Sequence, residues 1–199
     1  MSVIRAFIAI ELSREIQSKL EQVTTQLKHR LEGLPIRWVA VENIHLTLKF
    51  LGDVSLSNLE ILKKLLLSVS SAHHPFDISA GGLGAFPKAH QPRVIWVGLE
   101  APPDLESIQH AVDIETARLG YTREERPFSP HLTVGRVSRN ASPADIRAIA
   151  SVVEDFRVGF LGAARVNAVH LFRSDLQPGG AIYTCLFSAH LKERESSAG

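Results

Sequence analysis

The tetrad His45-Leu46-Thr47-Leu48 returns far downstream as His131-Leu132-Thr133-Val134. The two histidines are 86 positions apart, too far for a local repeat. Both tetrads suit a pleated, half-buried surface, and both predict a strand. Alternate side chains along a strand share a face. His45 and Thr47 therefore point one way and Leu46 and Leu48 the other; His131 and Thr133 oppose Leu132 and Val134 in the same manner. Each strand must bury its aliphatic face in a core and hold an imidazole and a hydroxyl on its open face. Two such strands facing across a cleft would aim two imidazoles and two hydroxyls at one point.

An imidazole, with an ordinary pKa of about 6.5, gives or takes a proton near neutral pH. One neutral ring and one protonated ring make a general base and a general acid. Threonine hydroxyls donate hydrogen bonds to anionic oxygens. The set suits attack on a phosphodiester with no metal and no cofactor. One histidine deprotonates the incoming oxygen and the other protonates the leaving one, while Thr47 and Thr133 hold the non-bridging oxygens as charge builds in the transition state. A lone His-x-Thr-x strand would be no more than a polar residue at a strand start; the pair carries the reading. The residues alone leave the two histidines interchangeable, and their pairing predicts a bell-shaped pH–rate profile.

The paired tetrads resemble the 2H phosphoesterase superfamily, most closely its bacterial and archaeal RNA 2′,3′-cyclic phosphodiesterases, the LigT-like proteins once called 2′-5′ RNA ligases. The likeness extends to Arg5–Ile10, to Arg37-Trp38-Val39 and Glu42–Gly52, to Gly82–Pro87 and Pro92–Gly98, to Arg126–Thr133, and to Leu171–Ser174 with Pro178-Gly179-Gly180 and Tyr183. It covers nearly the whole chain, in order, with no departure at the four motif positions. It implies two lobes related by a pseudo-two-fold, each a small antiparallel sheet backed by helices, with the two His-x-Thr-x strands lining the cleft between them. It implies hydrolysis of a 2′,3′-cyclic phosphate at an RNA 3′ end or on a nucleotide to a 2′-phosphomonoester, with His45 as proton donor and His131 as proton acceptor.

Composition agrees with a globular enzyme: 199 residues, 45% hydrophobic and 22% charged, give one sizeable domain or two small lobes. A protein that wraps long nucleic acid carries a larger basic excess than this net charge of +1, which favours a small or terminal substrate. The single cysteine, Cys185, excludes an intrachain disulfide and a cysteine-based zinc site; its strand-like surroundings predict a small buried apolar residue. The apolar run Ala6–Ile10 is too short for a signal-peptide core, and no stretch approaches the ~20 apolar residues of a membrane span. A soluble, cytoplasmic monomer is expected.

Along the chain, Val3–Ile10 reads as a strand. A helix capped by Ser13 follows, with Ile16, Leu20, Val23, Leu27 and Leu31 on one face. After a short strand at 36–41 and the first motif strand, Ser57 and Glu60 form a candidate capping box for a second helix. His73-His74-Pro75 is a solvated loop, since adjacent histidines lack a third metal ligand nearby. Phe76–Ala80 is a strand, Gly81–Gly84 a bend, Lys88–Pro92 a loop and Arg93–Leu99 a strand. Pro103 and Ser142-Pro143 open the third and fourth helices, on either side of a charged loop at 122–127 and the second motif strand. Phe156–Leu161, Ala164–Phe172 and Ala181–His190 close the chain as strands, and 192–199 is a frayed tail. Strands in adjacent runs with helices inserted favour an α+β fold with antiparallel sheets, here one bilobal domain over 1–199.

Further site candidates flank the tetrads. By alternation Arg136 lies off the face of His131 and Thr133, so a role on phosphate needs a bulge that re-aims it; Lys49 is off the face by the same count and should be solvated. Phe50 and Phe128 are candidates to stack on a base, though a phenylalanine beside a strand is more often core. Two other readings stay open on these residues: an ATP-independent ligase making 2′–5′ linkages between tRNA halves, and a non-catalytic binder of RNA ends or nucleotides.

Overall fold

The computed structural model describes residues 3–178 and 180–194. Its elements are β1 (Val3–Ile10), α1 (Arg14–Arg30), β2 (Ile36–Trp38), β3 (Leu46–Ser55), α2 (Leu59–Ser71), β4 (Phe76–Lys88), β5 (Gln91–Glu100), α3 (Pro103–Arg118), β6 (His131–Val137), α4 (Pro143–Asp155), β7 (Gly162–Val166), β8 (Ala168–Gln177) and β9 (Gly180–His190). Local chemistry explains the helix starts. The Ser13 hydroxyl accepts the Ile16 amide at 3.3 Å, and Ser142 forms a full capping box with Asp145, with Pro143 at the first helical position.

The strands run β7-β4-β5-β6-β3-β1-β8-β9, with β2 on the free part of β6, and every pairing is antiparallel. The two expected sheets are present as the halves β6-β5-β4-β7 and β3-β1-β8-β9. They join through one residue pair, Leu46 with Leu132, into a single curled sheet. Reading outward from that pair, β1-α1-β3-α2 is repeated as β5-α3-β6-α4. The strands that follow are exchanged: β4 leaves α2 to join β5, while β8 joins β1. The helices cover one face. Ile16, Leu20, Leu62, Leu66, Leu105, Ile108 and Ile149 pack there against Ile8, Leu46, Leu132 and Val134 in one continuous core. Each such side chain contributes roughly 1.5–3 kcal/mol by leaving water. The opposite face of the sheet stays open as a cleft.

Each motif strand carries a β-bulge at the same place. Ile8 pairs with Lys49 and Ala9 with Thr47, so Leu48 is the extra residue in β3. Ile95 pairs with Gly135 and Trp96 with Thr133, so Val134 is the extra residue in β6. A bulge puts two consecutive residues on one side and reverses the alternation beyond it. Leu48 and Lys49 thus both turn to the core, and so do Val134 and Gly135. The residues after them, Phe50 and Arg136, arrive on the open face. The bulge that Arg136 requires is therefore present.

The same device corrects the reading of Lys49, which is 6% exposed rather than solvated. Its ammonium donates to Asp113 and to the Thr122 carbonyl. Asp113 also accepts from Arg123 and from the Glu124 amide, each at 3.1 Å. This knot ties β3 and α3 to the loop that feeds β6. Gly135 holds the matching position in the other half, where a side chain would meet Ile36 and Trp38 at 3.1 Å.

Other expectations change with tertiary context. Ser57 does not cap α2: it lies in a 3-10 turn and its hydroxyl pairs with Ser55. Phe156–Leu161 is not a strand; it runs beside β4 through two backbone hydrogen bonds. The segment Ala164–Phe172 divides at Asn167 into β7 and β8, which belong to different halves. Only one residue separates them, so the curled sheet brings its halves together again there. His73 and His74 are half-buried: His73 bonds the Val69 carbonyl and Ser107, and His74 the Lys192 carbonyl. The Lys192 amide donates to His73, so the tail is held at its first residue, and 195–199 lie outside the described residues. Cys185 is exposed, because β9 is an edge strand and its cleft face is uncovered.

Burial pushes the Asp113 carboxyl up, but hydrogen bonds from Lys49, the Glu124 amide and Arg123 outweigh it and hold the group below its ordinary value. A carboxylate lowered in this way stabilises the fold above about pH 4, and that contribution is lost as pH falls through the folded-state value. Asp113→Ala leaves the Lys49 charge buried with only a carbonyl partner. A loss of roughly 3–5 kcal/mol is expected in denaturant unfolding, and the double variant Lys49→Met/Asp113→Leu should recover most of it. Equal instability in the single and double variants would show that the ion pair is not what Asp113 supplies.

Candidate active site

His45 and His131 are held alike. His45 Nδ1 lies 2.8 Å from the Asn43 carbonyl, and His131 Nδ1 lies 2.7 Å from the Ser129 carbonyl. In each case the acceptor is two residues upstream. A carbonyl oxygen can only accept, so each Nδ1 carries the hydrogen and each Nε2 is left for chemistry. The hydroxyls of Thr47 and Thr133 share the open faces with these rings, and both threonines are half-buried. The single β3–β6 pair, Leu46–Leu132, lies directly behind all four side chains.

Aromatic rings frame the histidines. Phe7 stacks on His45 with centroids 4.6 Å apart and planes 24° from parallel. Tyr183 meets the same ring edge-on at 5.2 Å, and Phe172 lies behind Phe7. In the other half Phe86 meets His131 edge-on at 4.9 Å, and Trp96 lies at 6.4 Å. Trp96 has its place because Gly84 has no side chain: a methyl there would sit 2.3 Å from the indole. Sequence reasoning missed these rings as site residues. Alternation sets Phe7 opposite Ala6, Ile8 and Ile10, but its own side of Ala6–Ile10 is apolar as well, so the run does not signal that the ring faces the site. Asn43 was missed as well. Its carbonyl fixes His45, and its side-chain amide donates to the Ala181 carbonyl at 2.8 Å, tying the β8–β9 hairpin to the motif strand.

Of the flanking candidates, Phe50 is 65% exposed on the open face, 6.1 Å from Phe7. Phe128 is half-buried against the main core. Arg136 is exposed, and its charge reaches His45. Burial lowers the His45 pKa to about 4; the hydrogen bond to Asn43 opposes the shift and the Arg136 charge adds to it. In the free protein His45 is therefore neutral at pH 7. The open face beyond Phe172 holds His170, bonded to Ser188 at 2.9 Å, with the Cys185 sulfur 4.0 Å from its ring. Two matched imidazoles with free Nε2 atoms, two hydroxyls and a guanidinium on one face can transfer two protons around a phosphate group.

Known proteins resemble this chain in sequence and in fold. One family model, LigT like Phosphoesterase, matches the chain twice, over residues 10–96 and 97–183, and so takes in one tetrad each time. The chain is 35% identical over 181 residues to a protein of Methanothermobacter thermautotrophicus named RNA 2′,3′-cyclic phosphodiesterase, covering 91% of this chain and 95% of that one. It is 30% identical over 194 residues to a protein of the same name from Aquifex aeolicus, covering 96% and 99%. Among solved structures, TT0787 of Thermus thermophilus superposes with a TM-score of 0.79 at 24% identity, over 96% of this chain and all of that one. E. coli LigT complexed with 3′-AMP superposes with a TM-score of 0.76 at 26% identity, over 96% and 99%. With both tetrads inside the doubled match, the chain belongs to the LigT-like phosphoesterase family.

Proposed function

We propose that this phosphoesterase opens the 2′,3′-cyclic phosphate at an RNA 3′ end and leaves a 2′-phosphomonoester. The observation that carries the reading is the matched pair of imidazoles, each oriented by a carbonyl through Nδ1 and each offering Nε2 to the same cleft. The names of the relatives support the substrate, and the complex of E. coli LigT with 3′-AMP supports a nucleotide in this cleft.

Water attacks phosphorus from the side opposite the 3′ oxygen. His131 Nε2 takes the water proton as the new P–O bond forms. The bond to the 3′ oxygen breaks, and His45 Nε2–H gives that oxygen its proton. Thr47, Thr133 and Arg136 hold the non-bridging oxygens. The near-symmetric geometry fits either order of roles; the likeness of the tetrads to the family gives the donor role to His45. A donor that is neutral when free must gain its proton with the substrate. The phosphodiester anion supplies the reason, because a nearby negative charge favours the imidazolium. No metal is needed in this scheme, and among the described residues no three His, Cys, Asp or Glu side chains are grouped to bind one.

Phosphorus NMR of a short RNA ending in a 2′,3′-cyclic phosphate, with EDTA present, should show the 2′-monophosphate, and His45→Ala and His131→Ala should each be slower by roughly 10²-fold or more. Activity lost to EDTA and restored by a divalent ion would refute metal independence, and a 3′-monophosphate would mean that the other P–O bond is cut. An acidic phenol leaves without a proton, so a diester carrying one should restore much of the activity of His45→Ala and little of that of His131→Ala; the reverse pattern would exchange the roles. Ring-proton NMR of the free protein should place the His45 titration near pH 4. Arg136→Gln should move that titration upward, as should a bound nucleoside 2′-phosphate, and no movement with either would remove the electrostatic link to phosphate.

A further inference from the structure

The cleft face holds a second arginine that the tetrads do not announce. In the β2–β6 pairing Arg37 lies directly opposite Arg136. Side chains directly opposite in an antiparallel pair share a face, with Cβ atoms about 4.5–5.5 Å apart. Ile36 and Trp38 turn the other way, beneath Gly135 and against the core. The bulge at Val134 that brings Arg136 to the open face therefore brings Arg37 to it as well.

Like charges directly opposite on a sheet destabilise it. Both arginines are exposed, and neither enters an ion pair among the described residues. A polyanion relieves such a pair, and guanidinium grips phosphate through two parallel hydrogen bonds. The reacting phosphate already has Thr47, Thr133, Arg136 and both imidazoles. Arg37 stands one strand spacing away, about 4.8 Å, at a point on β6 five residues along from His131. We propose that Arg37 binds a second phosphate, the internucleotide phosphate one step inside the RNA end, and so makes the protein favour an oligonucleotide over a cyclic mononucleotide. This rests on the reading that an RNA end occupies the cleft.

The test compares Arg37→Gln with the wild type on cytidine 2′,3′-cyclic phosphate and on a trinucleotide ending in the same cyclic nucleotide. The wild type should show the lower KM for the trinucleotide. In the variant that KM should rise about tenfold, the loss expected for one charge-assisted contact, while kcat and the cyclic-mononucleotide KM stay within about twofold. Binding of the trinucleotide product, which ends in a 2′-phosphate, is followed against salt in parallel. The slope of log affinity on log salt should flatten by about 0.7 for one lost phosphate contact on a single strand. An equal KM rise on both substrates would place Arg37 on the reacting phosphate and overturn the proposal. Unchanged KM values with an unchanged slope would overturn it too. If the wild type opens neither substrate, the reading of the site as a cyclic phosphodiesterase fails, and the salt slope alone still decides whether Arg37 meets a phosphate.

Discussion

One hydrogen-bonded residue pair carries the geometry of the cleft. Leu46 and Leu132, both almost fully buried, bring the two motif strands into register where the halves of the sheet meet. Burial of these two leucines determines where four polar side chains go, because their sequence neighbours must point to the other face. Away from that pair each strand turns to its own half, and the divergence opens the cleft. Hydrophobic burial behind the junction and proton chemistry in front of it are two sides of one strand pairing.

The bulges extend this arrangement. By adding Leu48 to one strand and Val134 to the other, the backbone delivers the fifth residue after each histidine to the open face. The device is symmetric and its cargo is not: one half presents a phenyl ring, the other a guanidinium. The residues turned inward differ in the same way. Lys49 reaches across to Asp113 and fixes the loop ahead of β6, while Gly135 leaves room for Trp38 and Ile36. A duplicated backbone thus gives the cleft an apolar end and a cationic end, which can orient a substrate that is itself part base and part phosphate.

Much of this was legible in the sequence because it depends on short-range alternation and capping. The facing of His45, Thr47, His131 and Thr133, the caps at Ser13 and Ser142, and the antiparallel α+β character all follow from local pattern. What was not legible depends on a partner strand. A bulge is a mismatch between two strands, so neither burial of Lys49 nor re-aiming of Arg136 can be read from one. Phe7 sits in a run that is apolar on both faces, which hides that its ring belongs to the cleft. Cys185 reads as buried because its neighbours are apolar, and only the position of β9 at the sheet edge exposes it. The division at Asn167 is likewise invisible locally, since β7 and β8 are both strand-like and differ only in which half they join.

The exchange of strands gives the repeat an unusual relation to folding. Each half of the sheet draws on both sequence units: β3 and β1 pair with β8 and β9, while β4 and β2 complete the half built on β5, β6 and β7. The helices cross over in the same sense, with α2 against β8 and β9, and α1 against β7. The unit repeated in sequence is therefore not a unit that can close a core. A chain nicked in the β4–β5 turn, at Ala89 and His90, would yield two pieces that are complements rather than copies, each holding one of the two motif histidines and each lacking strands that only the other supplies. Neither piece buries its aliphatic faces alone, and pairing the two histidines takes the same event that completes both cores.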